Sequence, residues 1–339
     1  MSVRGHVAVV GAGSWGTAFA TVTARNHVPT LLWARRPDLA RRINARHENE
    51  EYLAGVELPT TLRATADIEE AVSRASVVVV AIPSHGLRDW VKDMAPMVRP
   101  GASVVSLTKG VEPGTLLRMS QVICEAGGFE PEAVGALSGP NLAKEVAQDL
   151  PGASVIACAD AGRAERLQRL FHRRTFWVFT NDDLCGVEIG GAAKNVVALA
   201  AGACDGLGFG DNAKAALINR GLVEITRLAV ALGARPLTLA GLAGIGDLVA
   251  TCMSQKSRNR HVGEELGKGR PLDEITGEMN MVAEGVKSCR AIVDLAQRVG
   301  VKMPIAWSVA KVLYEGASVH DMVEDLLTRQ PTPEFAGIE

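Results

Sequence analysis

The stretch HVAVVGAGSWGTA, residues 6–18, decides the fold. A strand pattern is followed at once by the spacing G-x-G-x-x-G and then by a helical pattern. In that context Gly11 permits a tight turn, Gly13 lets the backbone approach a pyrophosphate, and Gly16 lets the helix pack closely on the strand. The stretch therefore predicts the first strand, turn and helix of a dinucleotide-binding domain. The alternative is a glycine-rich turn in an unrelated α/β protein.

Short β-branched runs alternate with helical patterns as far as residue 180. Strands separated by helices predict a parallel sheet that is covered by helices on both faces, with ligands at the carboxyl ends of the strands. The run 77–82 is apolar throughout, which is typical of a central strand. The predicted strands are residues 6–10, 30–33, 77–82, 103–107, 133–137, 154–157 and 176–180.

The second half of the chain has a different pattern. From about residue 184, stretches rich in Ala, Gly and Leu have helical spacing and show no further convincing strand, and residues 180–183 resemble a helix cap. A chain of 339 residues exceeds what one core normally supports. We therefore predict an α/β protein with a Rossmann-like doubly wound sheet over residues 1–183 and an all-helical domain over residues 184–339.

Composition excludes several classes of function. With 36 Lys and Arg against 38 Asp and Glu, the net charge of -2 provides no basic field for nucleic acid. Six well-separated cysteines without a C-x-x-C pair indicate a reducing, cytoplasmic setting, and no zinc-type His or Cys spacing occurs. The apolar stretch 186–207 is interrupted by charged residues, so we expect a buried helix there and no membrane span.

Two arginines follow the second predicted strand. A cofactor with a free ribose 2′-hydroxyl usually meets Asp or Glu about 20 residues after the glycine turn. Here Arg35 and Arg36 stand there instead, and two guanidinium groups suit a 2′-phosphate. The sequence therefore predicts that NADP(H) is bound at least as well as NAD(H). The alternative is a pair of solvated arginines at a helix start.

Lys194 is the candidate acid/base group. It lies within GGAAKNVVA, residues 190–198, where small side chains let other backbones approach closely. An enclosed lysine is costly unless it is paired, and burial disfavours its charged form. The alternative is a lysine whose end reaches the surface.

Two further motifs lie in the predicted helical domain. Asp247 follows the glycine-rich turn of GLAGIGDL, residues 241–248, where it is either a functional carboxylate or a helix N-cap. The sequence Ser257-Arg258-Asn259 offers a hydroxyl, a guanidinium and an amide at a helix start. Such a set suits a phosphate monoester, although an exposed basic helix cap has the same pattern.

Three smaller features are ambiguous by themselves. Lys109, in SLTKG, and the turn SGPNLA, residues 138–143, both follow predicted strands and are therefore placed to contact a ligand. Glu284 is a carboxylate at a predicted helix start. Each of them also occurs in ordinary loops and helix ends.

Taken together and in this order, the motifs resemble those of the bacterial-type NAD(P)-dependent glycerol-3-phosphate dehydrogenases. The resemblance extends from residue 7 to about residue 303. It implies a cytoplasmic enzyme that interconverts dihydroxyacetone phosphate and sn-glycerol 3-phosphate and supplies glycerophospholipid synthesis. The motifs that carry it are GAGSWGTA (11–18), KG (109–110), SGPN (138–141), GAAKN (191–195), GIGD (244–247), SRN (257–259) and VAEG (282–285).

The resemblance also implies roles for single residues. Lys194 becomes the acid/base residue, and we predict that Asp247 takes part in catalysis by orienting either the lysine or the terminal hydroxyl group of the substrate. The implied cofactor contacts are Gly11, Gly13, Ser14, Trp15, Gly16, Arg35, Arg36, Lys109, Ala143, Arg258, Val282 and Glu284. The implied substrate contacts are Lys109, Gly139, Asn141, Lys194, Asp247, Ser257, Arg258 and Asn259. Many relatives carry Ser or Thr where Asn141 stands, so the local hydrogen-bond pattern differs there.

Two alternatives from other classes stay open at this point. A β-hydroxyacid or ketopantoate reductase would bind a carboxylate where a phosphate is predicted here. A redox sensor that binds NAD(P)(H) would need no catalytic lysine and would expose an apolar contact patch. For the assembly we expect a homodimer, since the long Ala- and Gly-rich helices would support one as well as they support a core.

Overall fold

The computed structural model describes residues 5–279, 283–328, 330, 333–334 and 337–338. The chain forms two compact units. The first runs to Thr108 and resumes over Met119–Leu184, and the second takes Lys109–Arg118 and everything from Cys185 onward. We call Lys109–Arg118 the strap. The functional domain limits 1–183 and 184–339 stay a prediction, and the sequence pattern does not single out the strap.

The described part of the first unit contains an eight-stranded sheet in the order β3-β2-β1-β4-β5-β6-β7-β8. Neighbouring strands are parallel except β6 and β7, which are antiparallel. The strand order reverses between β1 and β4, and open α/β sheets bind ligands at the carboxyl ends of the strands near such a point. The strands are β1 His6–Val10, β2 Thr30–Trp33, β3 Arg63–Thr65, β4 Ala75–Val80, β5 Ser103–Ser106, β6 Val134–Ser138, β7 Gly152–Cys158 and β8 Phe176–Asn181.

All seven predicted strands are confirmed, with ends within two residues of the predicted ones. The short strand Arg63–Thr65 was missed because it has no apolar run. The expectation of a wholly parallel sheet is wrong at β7. The link from β6 to β7 carries only the five-residue helix Ala143–Ala147, which spans about 7.5 Å and does not return the chain along the sheet.

The first helix explains why the glycine spacing is needed. Gly11 has φ +120°, a backbone conformation that favours glycine. A Cβ atom at Gly16 would overlap the carbonyl oxygen of Gly11, so only glycine lets the helix approach the turn. The helices of this unit are α1 Ser14–Arg25, α2 Pro37–Arg46, α3 Ile68–Val72, α4 Leu87–Met94, α5 Met119–Gly127, α6 Ala143–Ala147 and α7 Ala161–Phe171.

Among the described residues of the second unit, helices are the regular elements and no strand is formed, as predicted. Its helices are α8 Leu184–Gly206, α9 Asp211–Ala231, α10 Pro236–Leu239, α11 Asp247–Met253, α12 Arg258–Gly267, α13 Leu272–Gly277, α14 Glu284–Arg298, α15 Pro304–Tyr314 and α16 Val319–Leu327. Every residue of α8 from Gly186 to Cys204 is buried, so this helix forms the centre of the unit.

Helices α8 and α12 cross at glycines. A Cβ atom at Gly202 would overlap the carbonyl oxygen of Arg260, and one at Gly263 would overlap that of Leu199. The two backbones therefore touch, which only residues without a side chain permit. This crossing brings the first turn of α12 close to the middle of α8.

Two helical stretches among the described residues have the length and composition of a membrane span, Leu184–Gly206 and Pro236–Met253. In the first, 89% of the apolar window is buried inside the protein, and in the second 44% is buried. Burial of this extent in α8 is what a core helix requires, in agreement with the prediction for residues 186–207.

Candidate active site

The centre of the candidate site is a buried cluster around Asp247. Lys194, in the middle of α8, donates from Nζ to Asp247 Oδ1 and, at 2.6 Å, to Thr251 Oγ1. Lys109 Nζ donates to Asp247 Oδ2 at 2.5 Å. The side chains of Lys194 and Asp247 are 8% and 1% exposed. The prediction that Lys194 is enclosed is therefore confirmed, and one carboxylate holds two ammonium groups.

The environment of Lys194 changes its acidity. Its pKa falls from the ordinary 10.5 to about 8, mainly because burial penalises the charged form. Asp247 raises this pKa and Lys109 lowers it. A lysine with a pKa of about 8 is an ammonium ion at neutral pH and gives up its proton more readily than an ordinary lysine.

Glycines bring Asp247 to Lys194. A Cβ atom at Gly190, on α8, would lie 2.6 Å from the carbonyl oxygen of Ala243. Gly244 interrupts the helical conformation with φ -95° and ψ -105°, and a Cβ atom there would overlap the backbone of Leu239. The irregular turn before α11 therefore packs directly on α8. Asp247 is the first residue of α11 and not its N-cap, which is Gly246, so the N-cap alternative is wrong.

The strap carries Lys109 and is docked on the helical unit. Val111 is buried in the core of that unit, and Leu116 packs against the same core. Arg298, at the end of α14, donates from Nη1 to the carbonyl oxygen of Thr115 at 3.0 Å and from Nη2 to that of Leu116 at 3.3 Å. Leu116 has φ +59°, a strained conformation for leucine that persists only where surrounding contacts enforce it.

An ion pair fixes the far end of the strap. Arg118 donates from Nη1 to Glu188 Oε2, and the Glu188 side chain is 5% exposed. Glu188 lies on α8, the helix that carries Lys194. The strap is therefore held at Lys109 by Asp247 and at Arg118 by Glu188, with the Arg298 contacts between them.

The first turn of α12 contains the predicted phosphate-binding residues. Ser257 is its N-cap and accepts a hydrogen bond from the amide of Arg260 at 3.2 Å. Arg258 is exposed as a whole residue, but burial around its guanidinium lowers the pKa of that group, and Glu284 raises it. The combination of a fixed N-cap and a partly enclosed guanidinium at a helix start is suited to an anion.

Asn259 connects three helices. Its Nδ2 donates to Asn195 Oδ1 at 3.0 Å on α8, and its Oδ1 accepts from the amide of Gly285 at 2.9 Å on α14. Asn195 follows Lys194, and Gly285 follows Glu284. The amide of Asn259 thus aligns α12 with the helix that carries Lys194, a positioning role that sequence reasoning did not foresee.

The first unit contains the predicted cofactor turn. Five buried polar atoms of this unit have no hydrogen-bond partner among the described residues, and three of them are Trp15 Nε1, Ser138 Oγ and Asn141 Nδ2. These three follow or lie at the carboxyl ends of β1 and β6. A Cβ atom at Gly13 would meet nothing within 4 Å, so the backbone is open at the N-terminus of α1. Buried polar atoms without partners and an open helix start fit a polar, anionic dinucleotide.

The remaining predicted residues have the following places. Arg35 is exposed before α2, and Arg36 is the N-cap of α2 and pairs with Glu51. Asn141 Oδ1 accepts from Ser154 Oγ at 2.5 Å. Gly139 has φ +143°, Ala143 begins α6 and Glu284 begins α14. Val282 lies outside the described residues.

The structure thus brings Lys109, Lys194 and Asp247 together and places the SRN turn in the same unit. The glycine turn, both arginines, Gly139, Asn141 and Ala143 lie in the first unit. Sequence reasoning missed Thr251, although its position one helical turn after Asp247 was a usable signal. It also missed Glu51, for which no local signal exists.

Comparison with known proteins identifies the family to which the chain is similar. The family model "NAD-dependent glycerol-3-phosphate dehydrogenase N-terminus" matches residues 6–164, and the corresponding C-terminus model matches residues 183–324. The chain is 49% identical to glycerol-3-phosphate dehydrogenase [NAD(P)+] of Chlorobium limicola, over 97% of this chain and 99% of that protein. It is 50% identical to the protein of that name from Streptomyces coelicolor, over 98% and 99%. A crystal structure of glycerol-3-phosphate dehydrogenase from Coxiella burnetii matches with a TM-score of 0.92 and 36% identity, over 96% of this chain and 99% of that one.

Proposed function

The chain belongs to the NAD-dependent glycerol-3-phosphate dehydrogenase family, and it is therefore an NAD(P)-dependent oxidoreductase that interconverts dihydroxyacetone phosphate and sn-glycerol 3-phosphate. We propose that Lys194 and Asp247 carry out the proton transfer of this reaction. The product supplies glycerophospholipid synthesis. The observation that best supports the proposal is the buried contact of Lys194 with Asp247 and Thr251.

Reduction of the carbonyl group places negative charge on its oxygen, which must be stabilised and protonated. The Lys194 ammonium is suited to both tasks. Its pKa of about 8 leaves it charged at neutral pH and makes it a stronger acid than an ordinary lysine. Asp247 and Thr251 orient Nζ through their hydrogen bonds. Lys109 adds a second positive charge to the same carboxylate, so the cluster attracts an anionic substrate.

The phosphate group of the substrate is assigned in this proposal to the start of α12. Arg258 offers a guanidinium there, next to the N-cap Ser257 and the fixed amide of Asn259. Binding energy from a remote phosphate helps to hold the carbonyl in reactive geometry. Gly139 and Asn141 complete the proposed substrate contacts.

The cofactor supplies a hydride when it is bound. The residues proposed to hold it are Gly11, Gly13, Ser14, Trp15, Gly16, Arg35, Arg36, Lys109, Ala143, Arg258, Val282 and Glu284. The unpaired Trp15 Nε1 and the open backbone at Gly13 support the first part of this assignment. Use of NAD(H) or NADP(H) follows from the family, and a preference for NADP(H) remains part of the proposal, based on the two arginines after β2.

The proposal includes a cytoplasmic location and a homodimer. All six cysteines are free thiols, which is compatible with a reducing compartment. Light scattering on the purified protein tests the assembly, and a monomer across micromolar concentrations would contradict it.

The activity is tested by mixing purified protein, NADPH and dihydroxyacetone phosphate and following the loss of reduced-cofactor absorbance. We expect turnover with this substrate and none with ketopantoate, whose carboxylate lacks the geometry of a phosphate monoester. Faster turnover of ketopantoate would favour the alternative reductase. Binding of NADPH without turnover of either substrate would favour the sensor.

A further inference from the structure

We propose that Glu51 sets the balance between NADP(H) and NAD(H) by competing with the cofactor's 2′-phosphate for the guanidinium group of Arg36. The inference rests on the proposed function, because it takes the cofactor to bind at the glycine turn. It adds a specificity-determining residue that lies outside every motif in the sequence.

The contact itself is an ion pair at the end of β2. Arg36 is the N-cap of α2, and its Nη2 donates to Glu51 Oε2. The same carboxylate oxygen accepts from Arg42 Nη2 at 3.3 Å, one and a half helical turns further along α2. Hydrogen bonding to Arg36 lowers the pKa of the Glu51 carboxyl below its ordinary value, so the group is ionised at neutral pH.

The loop that carries Glu51 is tied to the glycine turn on both sides of this residue. Asn49 is fully buried, and its Nδ2 donates to the carbonyl oxygen of Ala12 at 2.9 Å and to Thr17 Oγ1 at 2.8 Å. Ser14 Oγ donates to the carbonyl oxygen of Tyr52 at 2.6 Å. Two of these partners, Ala12 and Ser14, lie within the G-x-G-x-x-G stretch. Glu51 is therefore held beside the dinucleotide-binding turn by its own backbone.

Anchoring of this kind keeps the Glu51 carboxylate close to Arg36. A ribose 2′-phosphate carries between one and two negative charges at neutral pH and is recognised by arginine at the end of the second strand. When it approaches Arg36, it competes for Nη2 with a carboxylate whose chain neighbours Asn49 and Tyr52 are bonded to the glycine turn. A ribose 2′-hydroxyl carries no charge and meets no such competition. Glu51 consequently weakens the binding of NADP(H) and leaves that of NAD(H) almost unchanged.

The substitution Glu51→Gln removes the charge and preserves the shape. Its matched control is Glu50→Gln, the adjacent residue, whose carboxylate pairs with Arg46 at 2.7 Å and not with Arg36. Binding of adenosine 2′,5′-bisphosphate and of adenosine 5′-monophosphate is measured by calorimetry, and KM is measured for NADPH and for NADH. We expect Glu51→Gln to lower both the Kd of adenosine 2′,5′-bisphosphate and the KM for NADPH by about two- to fivefold. This is the change in affinity that corresponds to the usual energy of an exposed ion pair. The Kd of adenosine 5′-monophosphate and the KM for NADH should not change, because neither ligand has a 2′-phosphate. Glu50→Gln should leave both Kd values and both KM values unchanged.

A double-mutant cycle tests whether Glu51 acts through Arg36. In the background of Arg36→Gln, the substitution Glu51→Gln should no longer alter the ratio of the two KM values. Equal effects of Glu51→Gln and Glu50→Gln would overturn the inference, because they would indicate only a general change of charge. Weaker binding of the bisphosphate by Glu51→Gln would also overturn the inference. That result would mean that Glu51 helps phosphate binding by orienting Arg36, and does not compete with the phosphate.

The binding experiments need no turnover, so they separate this inference from the activity. An enzyme that reduces dihydroxyacetone phosphate but shows no selective response to Glu51→Gln refutes the role of Glu51 alone. A protein that fails to reduce dihydroxyacetone phosphate yet shows the expected change for adenosine 2′,5′-bisphosphate refutes the activity alone.

Discussion

At the scale of single residues, the chemistry of Lys194 depends on what surrounds its amine. Burial alone would drive the lysine toward its neutral form, and Asp247 opposes that effect. Lys109 lies on the other oxygen of the carboxylate and lowers the pKa of Lys194 again. The result is a group near the pKa at which proton transfer in neutral solution is efficient.

Removal of the amine tests its role most directly. We expect Lys194→Ala to lower kcat by about two to four orders of magnitude, the usual contribution of a positioned acid. Cofactor affinity, measured by quenching of tryptophan fluorescence with NADPH, should stay within a factor of about two, because Lys194 is not among the residues proposed to hold the cofactor. A variant that keeps most of its turnover would exclude Lys194 as the proton donor.

The influence of Lys109 on Lys194 is visible in the pH dependence. In the proposed mechanism the protonated Lys194 is the proton donor, so kcat should fall as the pH rises through the pKa of about 8. Lys109→Met removes a positive charge that lowers this pKa, and the fall in kcat should therefore move to higher pH. Lys268→Met, which removes an exposed charge of the same unit, should leave the profile in place. Movement to lower pH in Lys109→Met would contradict the electrostatic argument.

At the scale of elements, the strap and the crossing of α8 with α12 position these groups. The strap is held by the core contacts of Val111 and Leu116 and by the ion pair of Arg118 with Glu188. The crossing depends on glycines in both helices, which let the backbones touch. The anchors and the glycines act on the site through geometry, because they set where Lys109 and the first turn of α12 lie.

Loosening of the strap should affect catalysis more than stability. Arg298→Gln weakens two charge-assisted hydrogen bonds to the strap backbone at the protein surface. We expect kcat to fall by about tenfold, as for the loss of one such bond, and its pH profile to move upward because Lys109 is held less firmly. Arg290→Gln, on the same helix α14, has no strap contact among those described and serves as the control. If Tm falls while the pH dependence of kcat stays unchanged, Arg298 has only a structural role.

Side chains at the helix crossing should be poorly tolerated. The Cβ atom of Gly263→Ala would overlap the carbonyl oxygen of Leu199, and backbone atoms cannot move aside as a flexible side chain can. We expect the free energy of unfolding to fall by about 1–3 kcal/mol or more, as in other overpacked sites. Gly277→Ala, at the end of α13, meets nothing within 4 Å and should be neutral or slightly stabilising. Urea unfolding of both variants measures the difference, and equal stabilities would show that the helices can separate without cost.

At the scale of the whole molecule, the two units divide the tasks. The first contains the glycine turn and the unpaired polar atoms at the ends of β1 and β6, and the second contains the ionised cluster and the SRN turn. The strap belongs to the second unit, although the chain on either side of it belongs to the first. A ligand that binds the folded chain but not the unfolded chain raises the free energy of unfolding, so cofactor binding can be measured as added stability.

The variant Gly13→Ala should lose the stabilisation by the cofactor without losing the stability of the fold itself. NADPH at 100 times its Kd should raise the free energy of unfolding by about 2.7 kcal/mol. In Gly13→Ala the new methyl group meets no protein atom within 4 Å, so the Tm without ligand should not change. The same methyl group lies where a pyrophosphate would approach, and the increase with NADPH should be lost. A variant that is stabilised as strongly as the parent protein would place the cofactor elsewhere.

Much of the architecture is local in origin and was therefore predictable. The glycine spacing after β1, the Val-rich strand β4 and the helical pattern after residue 184 each depend on neighbours in the chain. The direction of β7 and the existence of β3 did not follow from such patterns, because strand pairing depends on the path of the chain between strands.

The sequence by itself determined which side chains are present for chemistry: a lysine among small residues, a carboxylate after a glycine turn and an arginine at a helix start. Only the tertiary structure decided that Asp247 binds two lysines, that Asn259 joins three helices and that Glu51 pairs with Arg36. The physical reason is that charges and hydrogen bonds act over a few ångströms of space, whereas these partners are far apart along the chain. Local patterns constrain dihedral angles and periodicity, and they contain no information about such distances.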